Sequence, residues 1–340
     1  MLDGLEGLEG RLASLVSELW DEHVVIRNLF RFHGGAGRET WRFCAEGVRR
    51  SAWLVMRRDP VSSLIRTSRT AEFHALARAH AAGLPVPEPL FLDAAGERLG
   101  SPGFLMRCVD GGRAAGLFEA DPYGVNARPL GTEVFGALGR LHALAPAEDD
   151  RAALPFQPPA ERLAHWAAEL DVHARHPQPI ARAALRWLIA HCPDPSGPPA
   201  LVHGDFRSGN FLFSPEGRLL ALLDWEMAHL GDPMEDLAWA ADPLWSHGER
   251  DLHGQGRVGA LLPLPEAVAA WEAASGRRFD EASWTWWRLF AGFQGLVIWL
   301  TSGFEVASMR AVDPVLVFSA YYPYRFHNHQ VAAMLDSLGA

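Results

Sequence analysis

The chain has 340 residues, enough for two domains or one large bilobal one. Apolar residues make up 49% and charged residues 21%, ordinary for a globular protein, and a net charge of −10 without any basic stripe argues against a nucleic-acid partner. Cys44, Cys108 and Cys192 are odd in number and far apart, which disfavours a disulfide framework and fits a reducing compartment. The N-terminus is acidic and has no apolar core like that of a signal peptide. The apolar run from Leu289 to Leu300 is interrupted by Gly292, Gln294 and Gly295 and is too short to span a bilayer. A cytoplasmic protein with no membrane partner is expected. Lysine is absent, so all 31 Lys-plus-Arg residues are arginine, and a Walker-type Gly-Lys-Ser/Thr site is excluded.

In chain order, Leu8 to Trp20 has helical spacing and Val24 to Phe32 reads as a strand. A glycine-rich turn with Gly34, Gly35 and Gly37 comes next, then a second strand. Such a strand–turn–strand can cover nucleotide phosphates, because glycine lets backbone N–H groups approach them closely. Ser51 to Arg58 reads as a third strand, with Trp53, Val55 and Arg57 on one face. The helix from Thr70 to Ala82 carries Glu72 in its first turn, which makes Arg57–Glu72 a candidate pair of the strand-base and helix-Glu kind. Pro102 to Val109 reads as a buried strand broken by Asp110-Gly111-Gly112. Residues 113–127 read as a loop. Pro129 to Ala143 is amphipathic, with His142 on its apolar side as a packed histidine. Helices around Glu161–Leu170 and Ile180–His191 come after it. The last third is helical and aromatic, with Trp284, Trp286, Trp287, Phe290, Phe293 and Trp299 on one long helix, expected mainly as core.

The densest chemistry lies in residues 201–240. His203-Gly204-Asp205 is followed five residues later by Asn210. Two short apolar runs, joined by the turn Ser214-Pro215-Glu216-Gly217, then lead into Asp224. A hairpin here would bring Asn210 and Asp224 together beside Asp205. Asn210 and Asp224 suit Mg²⁺, a hard cation usually held by one or two carboxylates plus substrate phosphates. Asp205 is then left to accept the proton of an attacking hydroxyl. The His-x-Asp-x-x-x-x-Asn spacing is that of a kinase catalytic loop. Arg57 takes the place of the strand-three lysine and would grip phosphate with a planar fork. Asp232 and Pro233 read as the N-cap and first residue of a helix, with a substrate-facing role for Asp232 left open. A metal-dependent hydrolase using His203, Asp205, Asp224 and His229 is a rival reading.

The stretches HGDFRSGN and LLDWEMAHLGDPMEDLAW closely resemble the aminoglycoside phosphotransferase family, and most of all the phosphotransferase domains associated with acyl-CoA dehydrogenases. The resemblance implies an α+β, bilobal, protein-kinase-like fold: a small N-terminal sheet with one helix (residues 1–109) and a larger, mainly helical C-terminal lobe (110–340). It implies an ATP- and Mg²⁺-dependent transfer of the γ-phosphoryl group to a hydroxyl of a small molecule, either aminoglycoside-like or a hydroxyacyl or hydroxy acid. By the same resemblance, backbone groups from Met106 to Val109 bind adenine, and Asp236 bonds back to the catalytic loop, with His203 in support. The family often has Ser where this chain has Gly37. With the missing lysine, that leaves a nucleotide-binding pseudoenzyme as an alternative.

Overall fold

The computed structural model describes residues 2–32, 39–59, 68–250, 256–308 and 314–339. Helix α1 (Leu2–Trp20) leads into strands β1 (Val25–Phe32), β2 (Glu39–Glu46) and β3 (Ser51–Arg58), helix α2 (Arg69–Ala81), and strands β4 (Pro89–Asp93) and β5 (Gly103–Arg107). The strands form one antiparallel sheet in the order β1-β2-β3-β5-β4. Period-two alternation in β3 puts Leu54 and Met56 against Leu8, Leu12, Leu15 and Val16 of α1. The opposite face, with Val55 and Arg57, is turned to the cleft.

Helix α2 packs on β4 and β5 of the sheet and also reaches the other lobe. Ala71, Ala75, Leu76 and Ala79 are buried in the same apolar cluster as the C-terminal helices. His74 Nε2 in the middle of the helix and Arg78 Nε in its last turn bind the buried Asp150 carboxylate at 2.8 and 3.1 Å. Asp150 is on α4 (Glu148–Ala153).

The large lobe begins with α3 (Ala127–His142) and continues after α4 through β6 (Phe156–Gln157), α5 (Pro159–His173) and α6 (Pro179–Ala190). Strand β7 (Ala200–Val202), the hairpin β8 (Phe211–Phe213) and β9 (Leu219–Leu222), and β10 (His229–Gly231) precede α7 (Met234–Ala240), α8 (Leu264–Ser275), α9 (Glu281–Ala307) and α10 (Pro314–Leu338). This is the bilobal, kinase-like architecture, with an antiparallel sheet at one end and helices at the other.

Helix α9 runs unbroken through Gly292, Gln294 and Gly295, which interrupt the apolar run in the sequence but not the helix. It is long and apolar enough to cross a membrane by length and composition, but 67% of its most apolar stretch is buried inside the protein. Trp286, Trp287, Phe290 and Phe293 are fully buried, as expected of core aromatics. Gly295 has a packing reason: a Cβ there would lie 2.4 Å from the imidazole of His327 on α10. Gly295→Ala should therefore lower stability by about 1–3 kcal/mol through overpacking. Gly303→Ala on the same helix, where the added carbon meets only Ala320 Cβ at 3.6 Å, should be neutral or slightly stabilising. Urea-unfolding midpoints of the two variants against the parent check this contrast.

Candidate active site

The loop after β7 is held by one buried carboxylate. Asp236, on α7, accepts the backbone N–H of His203 at 2.7 Å and that of Gly204 at 2.8 Å. Its Oδ2 also accepts from His142 Nε2 at 3.0 Å. Trp271 Nε1 can only donate, and it donates to His142 Nδ1 at 2.9 Å, so the proton of that neutral ring sits on Nε2 and points at Asp236. Burial by itself would raise the Asp236 pKa, but the His142 hydrogen bond and the loop amides outweigh it and hold the carboxyl below its ordinary value. Gly204 has φ +81°, and a Cβ on it would meet the Met227 carbonyl at 2.3 Å, so only glycine fits this turn. His203 Nε2 donates to the Leu223 carbonyl at 2.9 Å, which leaves Nδ1 to accept the Asp205 amide at 3.3 Å.

Asp205, delivered by this loop, has both oxygens engaged. Trp239 Nε1 and Arg207 Nε donate to Oδ1 at 2.6 and 3.1 Å, and Asn210 Nδ2 donates to Oδ2 at 2.6 Å. The hairpin closes beyond Phe211↔Leu222 by a bond from Leu223 N–H to the Asn210 carbonyl at 2.8 Å. This brings Asn210 and Asp224, the residue after Leu223, to one end of the hairpin, and both line one cavity of about 230 Å³ with Arg57 and Glu72. Asp224 is in the left-handed region at φ +67°, an uncommon conformation that functional sites concentrate.

Arg57 is the electrostatic centre of the cleft. Its guanidinium lies 3.1 Å from Glu72, 2.8 Å from Asp224 and 3.8 Å from Glu226, with 11% of the side chain exposed. Glu72 is also bonded by Arg69, whose Nε lies 3.1 Å from Asp59. Burial pushes the Asp224 carboxyl upward, but Arg57 beside it dominates and holds it below the ordinary carboxylate range, with Arg207 adding to that pull.

The donor set fits a hard divalent cation. With Asn210 Nδ2 spent on Asp205, its carbonyl oxygen is left for a metal, and Asp224 supplies a carboxylate oxygen on the same cavity. Among the described residues no group of three or more His, Cys, Asp or Glu side chains is arranged to hold a metal, so substrate oxygens and water must complete such a shell. His229, a ligand in the hydrolase reading, instead bonds the Met227 carbonyl at 3.0 Å and Glu235 at 3.2 Å.

Met106 and Val109 line a second cavity of about 550 Å³ beside the first, with Val55, Leu212 and Leu223 as apolar walls. Gly34, Gly35 and Gly37 lie outside the described residues. Asp232 does not face this cleft. Its carboxylate takes the Ser196 amide at 2.6 Å, the Ser196 hydroxyl at 2.8 Å and the Met234 amide at 2.9 Å, and helix α7 begins at Met234 with Pro233 as its cap, not as its first residue. The carboxylate serves the turn before α7.

Several site residues carry no signal in the sequence. Trp239 and Arg207 lie inside the quoted motifs, yet nothing in their spacing shows that both reach Asp205. Tyr123, Ser208 and His247 form a buried relay with 2.5 Å between each successive pair, ending where His247 Nδ1 meets the Glu119 carbonyl at 3.1 Å. That carbonyl can only accept, so Nδ1 carries the proton, Ser208 donates to Nε2 and Tyr123 donates to Ser208. The relay pins the loop midway between Asp205 and Asn210.

A kinase-like cleft with an Asp on a His-Gly-Asp loop, an Asn and Asp at the foot of a hairpin, and a strand base paired to a helix Glu defines a phosphotransferase. The profile of the phosphotransferase enzyme family (APH) matches residues 29–287, and the chain belongs to that family. It is 31% identical over 216 residues to acyl-CoA dehydrogenase family member 11 of Gallus gallus, covering 60% of this chain and 27% of that protein. To the Homo sapiens protein of the same name it is 27% identical over 243 residues, covering 68% and 30%. The matches thus span under a third of these relatives. A crystal structure from Ralstonia eutropha, provisionally described as an aminoglycoside phosphotransferase, has the same fold, with a TM-score of 0.72, 18% identity and 96% and 98% of the two chains covered. So does a spectinomycin phosphotransferase solved with ADP and spectinomycin, at TM-score 0.60, 11% identity and 96% and 98% coverage.

Removing a buried carboxylate that holds backbone amides and a histidine leaves those donors unpaired, so Asp236→Ala should cost about 3–5 kcal/mol in chemical denaturation. Asp236, Glu235 and Asp242 are all held below their ordinary values, 3.8 for Asp and 4.5 for Glu, because burial is outweighed by His142 for Asp236, Arg162 for Glu235 and His327 for Asp242. A depressed folded pKa stabilises fully above the unfolded value and is lost as pH falls through the folded one. Stability should therefore drop steeply below about pH 4, with a shallower drop in Asp236→Asn. Unfolding free energies measured from pH 7 downward test this.

Proposed function

We propose that the chain transfers the γ-phosphoryl group of ATP to a hydroxyl of a small molecule, with Mg²⁺ in the cleft. Asn210 and Asp224 line one cavity with Arg57, and Asp205 is bonded to Asn210 behind it; this arrangement carries the reading. Asp205, oriented by Trp239 and Asn210, positions the acceptor hydroxyl and takes its proton. Mg²⁺ at Asn210 and Asp224 would neutralise charge on the phosphates. Arg57, kept in place by Glu72, turns its fork to the phosphates, and the wall of Val55, Met106, Val109 and Leu223 receives the base. Positioning and electrostatics supply most of the rate in such a reaction.

For the acceptor, the likeness to proteins named as acyl-CoA dehydrogenase family members favours a hydroxyacyl or hydroxy-acid compound over an aminoglycoside. ADP release measured with a panel of hydroxyacyl compounds, hydroxy acids and aminoglycosides decides between them. Release with aminoglycosides alone would overturn the acyl preference.

Asp205→Ala should lower turnover by about 10²–10⁴-fold, the usual worth of a positioned base, while ATP affinity is kept. Asp224→Ala should instead abolish the Mg²⁺ dependence of nucleotide binding. Titration calorimetry with and without Mg²⁺, beside steady-state rates, separates the two roles. Parental turnover in Asp205→Ala would remove Asp205 as the base.

A further inference from the structure

Phosphoryl transfer moves a highly charged group from one oxygen to another, so cationic donors must follow it along that line. The cation nearest the nucleotide side, Arg57, is already shared among Glu72, Asp224 and Glu226. The chain has no lysine to supply a second one. Arg207 lines neither cavity itself but lies against Gly209, which lines the first. It sits on the loop between the base and the metal-side residues. Its Nε lies 3.1 Å from Asp205 Oδ1, and its charge also helps keep Asp224 ionised. Its guanidinium lies over the Trp245 ring, 4.6 Å from the centroid, and Nη1 is tied to the Ser208 carbonyl at 3.2 Å. These contacts fix the fork while Nη2 has no protein partner among the described residues, and 26% of the side chain is exposed. The next-but-one residue, Gly209, has φ +100°, and a Cβ there would lie 2.9 Å from Nη1, so glycine makes the room Arg207 occupies.

We propose that Arg207 is a further catalytic residue, a guanidinium supplied by the chain itself that binds the phosphoryl group in flight between nucleotide and acceptor. The inference rests on the phosphotransferase reading above. In the step, the acceptor oxygen forms its bond to the γ-phosphorus and gives its proton to Asp205. The bond from that phosphorus to the β–γ bridging oxygen breaks, with its electron pair leaving on ADP. Arg207 contributes its charge and the unpartnered N–H groups to the equatorial oxygens, whose charge is greatest midway. A residue that only oriented Asp205 would have no such preference for the midpoint.

The test uses a mimic of the group in flight and needs no knowledge of the acceptor. Binding of ADP with Mg²⁺ is titrated in the absence and presence of aluminium fluoride, for the parent chain, Arg207→Met and Arg207→Lys. The parent should bind ADP more tightly with aluminium fluoride. Arg207→Met should lose that gain by about 10²-fold or more, the scale of a donor aimed at developing charge, while binding ADP alone as the parent does. Arg207→Lys should fall between. Arg207→Ala, with thermal melting as a check on folding, should recover the gain when guanidinium is added. An equal aluminium fluoride gain in the parent and Arg207→Met would overturn the proposal. A parent that binds ADP but gains nothing from aluminium fluoride would count against the phosphotransferase reading itself, and the proposal would fall with it.

Discussion

The site depends on a fully buried carboxylate beneath its loop. Asp236 holds the His203 and Gly204 amides from below, and His142 and Trp271 hold Asp236 in turn. This one group couples α3, α7 and α8 to the loop that presents Asp205. A loop of this kind carries backbone donors with no sheet or helix to satisfy them, and burying them unpaired would be costly. Charge-assisted bonds to a buried carboxylate remove that cost and set the loop's height at the same time. The same device recurs once more. Trp299 donates to His327 Nδ1 at 2.6 Å, and His327 Nε2 donates to Asp242 at 3.0 Å, which caps the turn carrying Trp245. Trp245 in turn supports Arg207. Two Trp–His–Asp chains thus brace the loop from different sides.

A chain without lysine has only arginine as a permanently charged side-chain cation, and that constraint shapes the cleft. An ammonium is a point charge that one glutamate can hold, whereas a guanidinium is a planar fork with several donors to place. Arg57 fills its fork with Glu72 on α2 and Asp224 at the end of the hairpin, bridging the two lobes. The helix carrying Glu72 is itself anchored to the large lobe through Asp150 and an apolar face. The pairing is therefore assembled by the chain alone. Under the proposed function, nucleotide binding amounts to an exchange of partners, with phosphate oxygens replacing Asp224 on Arg57.

Several close approaches rest on the absence of a single carbon. Gly139 lets α3 lie against α8, where a Cβ would meet the Trp271 carbonyl at 2.6 Å. Gly295 does the same for α9 and α10. Gly204 brings the loop that carries Asp205 onto the Met227 carbonyl. Interiors packed at crystal-like density have no slack for an added methyl group at such points.

What the residue order alone determined was local. The hairpin with Asn210 and Asp224 at its foot, the third strand with Arg57 on the cleft face, Glu72 in the first turn of its helix, and the buried side of α3 all arise from periodicity and turn chemistry, which act over a few residues. The kinase-like fold was legible through the same short motifs. Tertiary structure decided which side chains from distant segments meet. Trp239 is 34 positions from Asp205 and His142 is 94 from Asp236, and no spacing rule reaches that far. It also turned Asp232 away from the cleft, because Ser196, 36 positions earlier, offers its carboxylate two donors that the local pattern could not reveal. Burial decides such pairings, since a polar group taken out of water must bond whatever the fold places beside it.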